Sequence, residues 1–430
     1  MSLPKGFYIG ASTAAHQVEG NNVNSDCWAL ENIEHSDYLE KSGEAVDHYH
    51  RYEEDIRLLS EAGLNAYRFS IEWARIEPEE GKFDDKEIEH YRDVILTCKK
   101  YGVEPVVTLH HFSSPVWLIK KGGWEAESTP DDFAAYTEYV IKKLGSELKY
   151  VCTINEANMG LQIAAIAKRY MKEMLKKKKK KTESADGQVQ MGMNLETMLK
   201  NMALAGNEKL EAVGTKKPQV FQSMRTKNGD LIIMRAHVKA REVIKKYAPD
   251  VKVGITLSLH DVQPVAGGEK EAVKIWDEEF THYLPYIKDD DFLGVQNYTR
   301  TLVARSGDIG VPEGADTTQM AYEFYPEALG HVLKKVSKDF KKELLITENG
   351  IATNDDKKRC EFIRRALLSV EDCIKEGIPV TGYLHWSLMD NFEWQKGFSM
   401  HFGLIAVDRS DMSRHPKESL KLLGSYLKID

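Results

Sequence analysis

The chain has 430 residues, of which 29% are charged and 42% hydrophobic, values typical of a folded protein rather than a disordered one. Its 59 Lys and Arg against 67 Asp and Glu give a net charge of −8, which argues against a general binder of nucleic acid or anionic membranes. No apolar run of about 18 residues predicts a transmembrane helix, and the first residues lack the apolar region of a signal peptide. Together with five scattered Cys, these features predict a cytoplasmic protein with reduced thiols.

Eight short apolar runs, rich in β-branched and aromatic residues, are typical of parallel strands buried on both faces. Amphipathic stretches long enough for helices lie between them, and several end at a glycine just before the next run. The runs are Gly6–Gly10, Asn65–Ile71, Pro105–His111, Tyr150–Asn155, Val251–Leu259, Asp291–Tyr298, Glu343–Thr347 and Val380–Ser387. The predicted helices include His48–Ala62, Asp85–Tyr101, Pro130–Leu148, Arg235–Tyr247, Tyr325–Asp339 and Lys357–Glu376.

This βα repeat predicts an α/β fold, a single-domain (β/α)8 TIM barrel over residues 1–430, with its active site at the carboxyl ends of the strands. A doubly wound open sheet is the alternative, but no Gly-x-Gly-x-x-Gly follows the first run. Residues 157–234 interrupt the alternation of predicted strands and helices, and they are predicted to form an atypical Lys- and Met-rich insertion above the barrel. The six lysines Lys176–Lys181 are typical of a solvated face, and a docking patch for an acidic partner is the alternative.

Polar side chains follow nearly every predicted strand. Unpaired polar groups in a buried position cost roughly 1–3 kcal/mol each, so their convergence indicates a functional site. Two carboxylates stand out, Glu156 after the fourth run and Glu348 after the seventh. Such a pair suits glycoside hydrolysis, in which one carboxyl protonates the leaving oxygen and the other meets the oxocarbenium-like centre. The alternative is that each glutamate caps the helix after its strand. His110 and His111 face opposite sides of their strand, so at most one of them enters the site, and a metal site built on both is disfavoured.

Several segments resemble, in the same order, the signatures of glycoside hydrolase family 1, the β-glucosidase family. Thr153–Glu156 and Ile346–Gly350 are similar to its acid/base and nucleophile signatures, and Gly10–Gly20 is similar to its N-terminal signature. Tyr67–Trp73 and Asn391–Trp394 are also shared. The resemblance implies a retaining exo-β-glycosidase that hydrolyses small β-glucosides through a covalent glycosyl-enzyme, with β-galactosides and β-fucosides as further candidate substrates.

The resemblance implies a role for each matching residue. Glu348 would be the nucleophile, with Arg68 and Tyr298 setting its charge and orientation. Glu156 would be the acid/base, and Asn155 would hydrogen-bond the sugar 2-hydroxyl. The other implied substrate-binding residues are Gln17, His111, Gln296, Trp386, Glu393 and Trp394, with Trp386 as the platform under the sugar. No metal or organic cofactor is expected. The expected partner is a small β-glycoside and not nucleic acid or membrane, and the oligomeric state is left open.

Some positions depart from the family pattern. Ala157 follows the acid/base glutamate where the family usually has Pro, and Gln296 begins the segment where it usually has Asn-Tyr-Tyr. Residues 157–234 replace a Gly- and Pro-containing stretch that, in the family, normally lines part of the entrance to the active site. Glu393 stands where the 6-phosphoglycosidase branch lacks a carboxylate, and its charge would repel a phosphate. A 6-phospho-β-glycosidase and a catalytically weakened barrel that binds a sugar or cofactor are the alternative functions.

Overall fold

Eight parallel strands close into a barrel in which neighbours in the chain are neighbours in space and the last strand pairs with the first. The computed structural model describes residues 3–176, 192–201 and 204–427. The barrel strands are β1 Tyr8–Ser12, β2 Ala66–Ser70, β3 Glu104–His110, β4 Tyr150–Ile154, β5 Lys252–Ser258, β6 Phe292–Gln296, β7 Glu343–Asn349 and β8 Val380–Trp386. The prediction of a single-domain (β/α)8 barrel is therefore confirmed.

The first strand begins later than the sequence pattern predicts. Gly6 has a φ of 82°, a left-handed conformation that belongs to a turn and not to a strand. The pairing instead extends to Ser12, which lies opposite Trp386 of β8 and Arg68 of β2. β1 therefore reaches the carboxyl end of the barrel, and the short helix Ala15–Val18 follows there.

Helices surround the barrel and link its strands, and all six predicted helices form. The α-helices span Ala15–Val18, Asp26–Glu31, His48–Glu61, Trp73–Ile76, Asp85–Lys100, Val116–Lys120, Thr129–Leu144, Met159–Lys176, Leu195–Asn201, Gly206–Val213, Lys227–Tyr247, Glu269–Glu279, Leu284–Ile287, Ala328–Val336, Asp356–Lys375 and Glu418–Ser425. Short 3-10 turns cover Gly123–Glu125, Gly145–Glu147, Thr281–Tyr283 and Trp394–Lys396. Among the described helices, none combines the length and apolar character needed to cross a membrane.

The largest difference from the predicted helices lies in Lys227–Tyr247, which begins well before the predicted start at Arg235. Thr226 caps its first turn, since the Thr226 hydroxyl accepts a hydrogen bond from the Gly229 N–H at 3.0 Å. The helix packs along Thr129–Leu144 on the outside of the barrel. Gly229 lies in the first turn of this helix. Because glycine has a low helix propensity, the sequence pattern predicts a helix start that is too late.

Residues 157–234 form mainly helices where the structure describes them. Helix Met159–Lys176 follows β4 closely, and two short helices, Leu195–Asn201 and Gly206–Val213, come later. Of the six-lysine run, Lys177–Lys181 lie outside the described residues. The interpretation of that run, and of the whole region as an insertion above the barrel, stays a prediction.

Irregular backbone at the carboxyl ends of the strands aims side chains into the barrel mouth. The register of β7 shifts against β6 between Ile346 and Glu348, and against β8 between Ile346 and Asn349. Such bulges re-aim a side chain and are common beside active sites. Glu156 and Trp394 have φ values of 44° and 46°, the left-handed region that non-glycine residues rarely adopt.

Two small sheets complete the structure beyond the barrel. One joins Asp261–Pro264, Arg300–Ala304 and Gly307–Asp308, and the other is a hairpin of Ile405–Asp408 and Ser413–Pro416. The hairpin is tied to the loop after β8 by a parallel bridge between Met389 and Ile405.

Candidate active site

Arg68 on β2 joins the polar residues at the carboxyl end of the barrel. Its Nη1 donates to Glu348 Oε1 at 2.6 Å, and its Nη2 donates to Asn155 Oδ1 at 2.5 Å. Its Nε donates to the Thr108 hydroxyl at 2.9 Å, which fixes the plane of the guanidinium. Arg68 is fully buried, so its charge acts on the two neighbouring strands with little screening by water.

Glu348 accepts hydrogen bonds on both carboxylate oxygens. Besides Arg68, Gln296 Nε2 donates to Oε1 at 2.8 Å, and the Tyr298 hydroxyl donates to Oε2 at 2.7 Å. Burial raises the pKa of Glu348, while the Arg68 charge and the Tyr298 hydrogen bond oppose that rise. Burial and the charge of Glu348 raise the pKa of Tyr298 well above its ordinary value, so the phenol stays a donor.

Glu156 follows β4 in a left-handed backbone conformation that β5 stabilises. The Glu156 N–H donates to the Thr256 hydroxyl at 2.9 Å, and the Ala157 N–H donates to the Thr256 carbonyl at 3.1 Å. Burial raises the pKa of the Glu156 carboxyl well above its ordinary value, and the negative charge of Glu348 adds to the rise. The environment therefore favours a protonated Glu156 beside an ionised Glu348.

Asn155 and His111 are oriented by each other. The Asn155 amide nitrogen lies 3.0 Å from His111 Nε2. Burial, together with the charge of Arg68, lowers the pKa of His111 well below its ordinary value, so the ring is neutral. Because an amide nitrogen only donates, Nε2 accepts and the ring proton lies on Nδ1. Asn155 Oδ1 also accepts from Gln296 Nε2 at 2.7 Å, so amides from two strands share one network.

Gln17 lies on the short helix Ala15–Val18 after β1, and Glu393 lies on the loop after β8. Gln17 Nε2 donates to the Phe392 carbonyl at 2.7 Å and to Glu393 Oε2 at 3.4 Å. The Gly192 N–H donates to Glu393 Oε1 at 2.9 Å. Burial raises the pKa of Glu393 to about 7, and the bond from Gly192 opposes that rise.

Aromatic rings line the same region. The His111 ring stacks on Trp386 and Trp394, with centroid distances of 5.6 and 6.2 Å and angles of 27° and 22° between the planes. Trp394 also stacks on His16, with 5.9 Å between the ring centroids and 7° between the planes. His16 Nε2 lies 3.4 Å from Glu31 Oε2. Because Glu31 holds the His16 ring and that ring stacks on Trp394, His16 supports the position of the indole.

Three buried polar atoms of the site have no hydrogen-bond partner within the described part of the chain. They are Gln17 Oε1, His111 Nδ1 and Gln296 Oε1. Buried polar groups are normally satisfied, so these three atoms are available to hydrogen-bond a polar ligand. Two acceptors and one donor, beside flat indole rings, suit a molecule with several hydroxyls and an apolar face.

All eleven predicted site residues therefore lie in one connected set, while several other polar residues at strand ends do not. Glu72 caps helix Trp73–Ile76 through the Ala74 N–H at 3.2 Å, and Glu19 pairs with Arg75 at 2.9 Å. His110 packs on the other side of β3, with its Nε2 3.0 Å from the Ser114 hydroxyl. The expectation that only one of the two adjacent histidines enters the site is confirmed.

The sequence interpretation overlooked two kinds of contributor, the hydroxyl residues of β5 and a distant glycine. Thr256 supports the backbone of Glu156 and donates to Asn155 Oδ1 at 3.0 Å, and Ser258 hydrogen-bonds Glu156. Both lie on β5, where hydroxyl residues alternate with Ile255 and Leu257, and this alternation was the available signal. Gly192 is the other, and nothing in its local sequence indicates its contact with Glu393.

A group of possible metal ligands lies elsewhere. Glu34, His35 and Glu208 place ligand atoms close together, and this is the one such group found in the described residues. Glu208 accepts from both the backbone N–H and Nδ1 of His35, at 2.8 and 2.6 Å, so an ion pair accounts for the arrangement. It shares no residue with the site at the barrel mouth.

Known proteins share this architecture and length. A family profile described as Glycosyl hydrolase family 1 matches residues 1–190 and 296–429. Beta-glucosidase A of Thermotoga maritima is 29% identical over 97% of this chain and 96% of its own length. A 6-phospho-beta-galactosidase of Lacticaseibacillus casei is 28% identical over 98% of this chain and 97% of its own.

Solved structures agree with the sequence comparison. A beta-glycosidase designated BGL167 superposes with a TM-score of 0.85 and 41% identity, covering 99% of this chain and 96% of that chain. A beta-glucosidase from Thermotoga maritima in complex with glucoimidazole superposes with a TM-score of 0.78 and 26% identity, covering 99% and 98%. The matched profile, the coverage and the barrel confirm the resemblance seen in the motifs: this chain belongs to glycosyl hydrolase family 1 and is a glycosidase.

Proposed function

We propose that this chain is a retaining exo-β-glycosidase that acts on small, unphosphorylated β-glucosides, with β-galactosides and β-fucosides as further substrates. The contrast between its two buried carboxyls carries the proposal. Glu348 is ion-paired and doubly hydrogen-bonded, whereas burial and a neighbouring negative charge raise the pKa of Glu156. Retaining glycosidases need this combination of an ionised nucleophile and a protonated acid.

In the first step, Glu348 attacks the anomeric carbon from the α face. The bond to the leaving oxygen breaks, and the Glu156 proton moves to that oxygen, so the aglycone departs as a neutral alcohol. Glu348 is then bound to the sugar as an α-linked ester. Arg68 and Tyr298 keep the attacking carboxylate ionised and oriented before this step.

In the second step, water attacks the same carbon from the β face. Glu348 loses its charge on forming the ester, and this removes one cause of the raised pKa of Glu156. Glu156, now a carboxylate, takes a proton from the water while the ester bond breaks and the pair of electrons returns to Glu348. The product is a sugar with the β configuration of the substrate, and both carboxyls regain their starting states.

Sugar recognition follows from the polar atoms around the carboxyls. Asn155, held by Arg68 and His111, would meet the 2-hydroxyl, and Gln17 with Glu393 would bind the hydroxyls at the far end of the ring. The unsatisfied atoms of Gln17, His111 and Gln296 support a ligand with several hydroxyls. Trp386 would lie under the apolar face of the sugar.

A 6-phospho-β-glycosidase is the second candidate, and the similarity to a 6-phospho-beta-galactosidase is the observation in its favour. The buried Glu393 argues against it, because its carboxylate would repel a phosphate in the same pocket. Parallel assays on an aryl β-glucoside and its 6-phosphate decide between them. Faster hydrolysis of the phosphorylated substrate would contradict our proposal.

The stereochemical test is NMR of the first-formed product from an aryl β-glucoside, recorded before mutarotation. We expect the β-anomer of glucose to appear first and the α-anomer to follow slowly. An α-anomer formed first would contradict the double-displacement mechanism. A sugar that binds in calorimetry without any turnover would instead favour the weakened, sugar-binding barrel.

The five cysteines support a reducing compartment such as the cytoplasm as the place of action. All five are free thiols and all are buried. Burial raises the pKa of Cys27 and Cys98, which keeps these thiols protonated and unreactive.

A further inference from the structure

A three-residue segment, Gly192–Asn194, lies directly against Glu393, and we call it the strap. The Gly192 N–H donates to Glu393 Oε1 at 2.9 Å, and the Gly192 carbonyl accepts from the Gln395 N–H at 3.1 Å. Both backbone groups of Gly192 are therefore paired with the turn that carries Glu393. Gly192 and Glu393 are 201 positions apart in the chain.

Only glycine fits at this position. A Cβ on Gly192 would lie 2.3 Å from the Glu393 carbonyl oxygen and 2.9 Å from Glu393 Cγ. Real side chains do not approach so closely, and the first of these atoms belongs to the backbone and cannot simply rotate away. The strap therefore touches Glu393 through backbone alone, at a distance that a larger residue would prevent.

Asn194 anchors the strap to the same turn. Its N–H donates to Gln395 Oε1 at 2.6 Å, its side-chain amide donates to the Gln395 carbonyl at 2.6 Å, and its Oδ1 accepts from Lys396 Nζ at 2.9 Å. The side chain also donates to the Asp37 carbonyl at 3.2 Å. Met193 between the two anchors is buried in the main hydrophobic core. The strap is thus fixed by backbone, side-chain and apolar contacts.

These contacts restrain the Glu393 carboxylate. Gly192 holds Oε1 from one side, and Gln17 Nε2 approaches Oε2 at 3.4 Å from the other. The carboxylate lies on a turn whose next residue, Trp394, has a left-handed backbone with a φ of 46°. Hydrogen bonds to a charged acceptor are stronger than those between neutral groups, so these two bonds favour one orientation of the Glu393 side chain.

We propose that the strap is a specificity-determining part of the glycone subsite. It positions Glu393 so that the carboxylate, together with Gln17, accepts the sugar 4-hydroxyl in its equatorial orientation, and so favours glucosides over galactosides. This inference rests on the proposed glycosidase function and deepens it, because it assigns the choice of glycone to a segment outside the barrel strands. Gly192 and Asn194 are positioning residues, acting through Glu393.

Two variants and two matched controls test the strap. Gly192→Ala introduces the clash, and Asn194→Ala removes the side-chain anchors with less disturbance of folding. Gly206→Ala is the glycine control, because a Cβ at Gly206 meets nothing within 4 Å. Asn228→Ala is the asparagine control, because the exposed Asn228 donates to Glu127 Oε1 at 3.2 Å and, within the described part of the chain, makes no hydrogen bond to the strap or to its anchors.

The first measurement is kcat and KM on matched aryl β-glucosides and β-galactosides. We expect KM for the glucoside to rise about tenfold or more in Gly192→Ala and less in Asn194→Ala, with kcat changing less than about threefold. The glucoside-to-galactoside ratio of kcat/KM falls at least about fivefold in the strap variants and stays constant in both controls. An equal loss on both sugars, or a loss in kcat alone, would overturn the strap's role in specificity.

The second measurement separates the strap from the proposed reaction. Calorimetry with glucoimidazole gives affinity without turnover, and we expect binding about tenfold weaker in the strap variants than in wild type and controls. Wild type that binds this probe but hydrolyses no β-glycoside contradicts the proposed function, while the affinities still decide for or against the strap. Equal affinity in all five proteins, or no binding by wild type, overturns the assignment of the strap to a glycone subsite.

Discussion

Arg68 Nη1 lies 2.6 Å from Glu348 Oε1, and both side chains of this ion pair are buried at the carboxyl end of the barrel. Arg68 also donates to Asn155, the residue next to Glu156 in the chain. One fixed cation therefore sets the ionisation of the proposed nucleophile and the position of the strand that carries the proposed acid. Both carboxyls are buried, but Glu348 is ion-paired with Arg68 and hydrogen-bonded by Tyr298, whereas the charge of Glu348 further raises the pKa of Glu156.

Replacing Arg68 with methionine removes the cation and keeps most of the side-chain volume. Because the pKa of Glu348 then rises, and Glu348 must be ionised to react, we expect the acid limb of the kcat/KM profile to move to higher pH. The unpaired buried carboxylate also lowers the free energy of unfolding by about 3–5 kcal/mol. Arg57→Met, which removes a partly exposed partner of Glu61, is the control for both measurements. An acid limb that stays in place would contradict the proposed role of Arg68.

Glu156→Gln tests the proposed acid/base through the leaving group. Without a proton donor, we expect glycosides of poor leaving groups to react about 10²–10⁴-fold more slowly, and those of good leaving groups to be less affected in the first step. The alkaline limb of the profile, which falls as the pH rises through the raised pKa of Glu156, also disappears. Rates across a series of substituted aryl glucosides measure the effect. A loss independent of the leaving group would contradict acid catalysis by Glu156.

Glu393→Gln tests the preference for unphosphorylated sugars. Burial raises the pKa of Glu393 to about 7, so the wild-type carboxyl is partly ionised at neutral pH and more so above it. We expect the variant to show a KM for the glucoside about tenfold or more higher, since a charged hydrogen-bond acceptor is lost. Its relative activity on the 6-phosphoglucoside rises, because repulsion is removed. If the ratio of kcat/KM for the 6-phosphoglucoside to that for the glucoside is unchanged in the variant, the repulsion argument is contradicted.

Asp55→Asn tests a network that stabilises the fold away from the site. Asp55 accepts from Arg414 Nε at 2.8 Å and from Arg414 Nη2 at 3.0 Å, and its Oδ2 lies 2.7 Å from His48 Nδ1. Burial alone would raise the pKa of Asp55, but the His48 and Arg414 hydrogen bonds outweigh it and lower that pKa. This stabilisation is present above the unfolded pKa of about 4 and is lost as the pH falls through the folded pKa.

We therefore expect Asp55→Asn to lower the free energy of unfolding by about 3–5 kcal/mol at pH 7, with a smaller difference in acid. Denaturant unfolding at several pH values measures it, with Asp250→Asn at an exposed position as the control. A difference that does not shrink with falling pH contradicts the assigned ion pair.

The sequence predicted the barrel because its strands are apolar on both faces and its helices have clear periodicity. The residues predicted for the site also lie together in the structure, since Arg68, Asn155 and Glu348 lie at strand ends or within short motifs. Their mutual hydrogen bonds were implied by the barrel geometry, in which all carboxyl ends meet at one face. The roles proposed for these residues came from the resemblance and not from spacing alone.

Contacts between segments that are distant in the chain could not be predicted from the sequence. Gly192 meets Glu393 across 201 positions, and no local pattern reports such a pairing. The role of Thr256 depends on the left-handed turn at Glu156, which follows from tertiary contacts with β5 rather than from propensity. His16 precedes Gln17 in the chain, but its stacking on Trp394 is a tertiary contact that no sequence pattern indicates.

The most direct test of the central assignment is the anomer formed when Glu348→Gly is supplied with azide. We expect hydrolysis of an aryl β-glucoside to fall at least about 10⁴-fold and azide to restore turnover. Azide then fills the space of the Glu348 carboxylate and attacks from the α face, so the predicted product is α-glucosyl azide. A β-glucosyl azide, or undiminished hydrolysis without azide, would contradict Glu348 as the nucleophile.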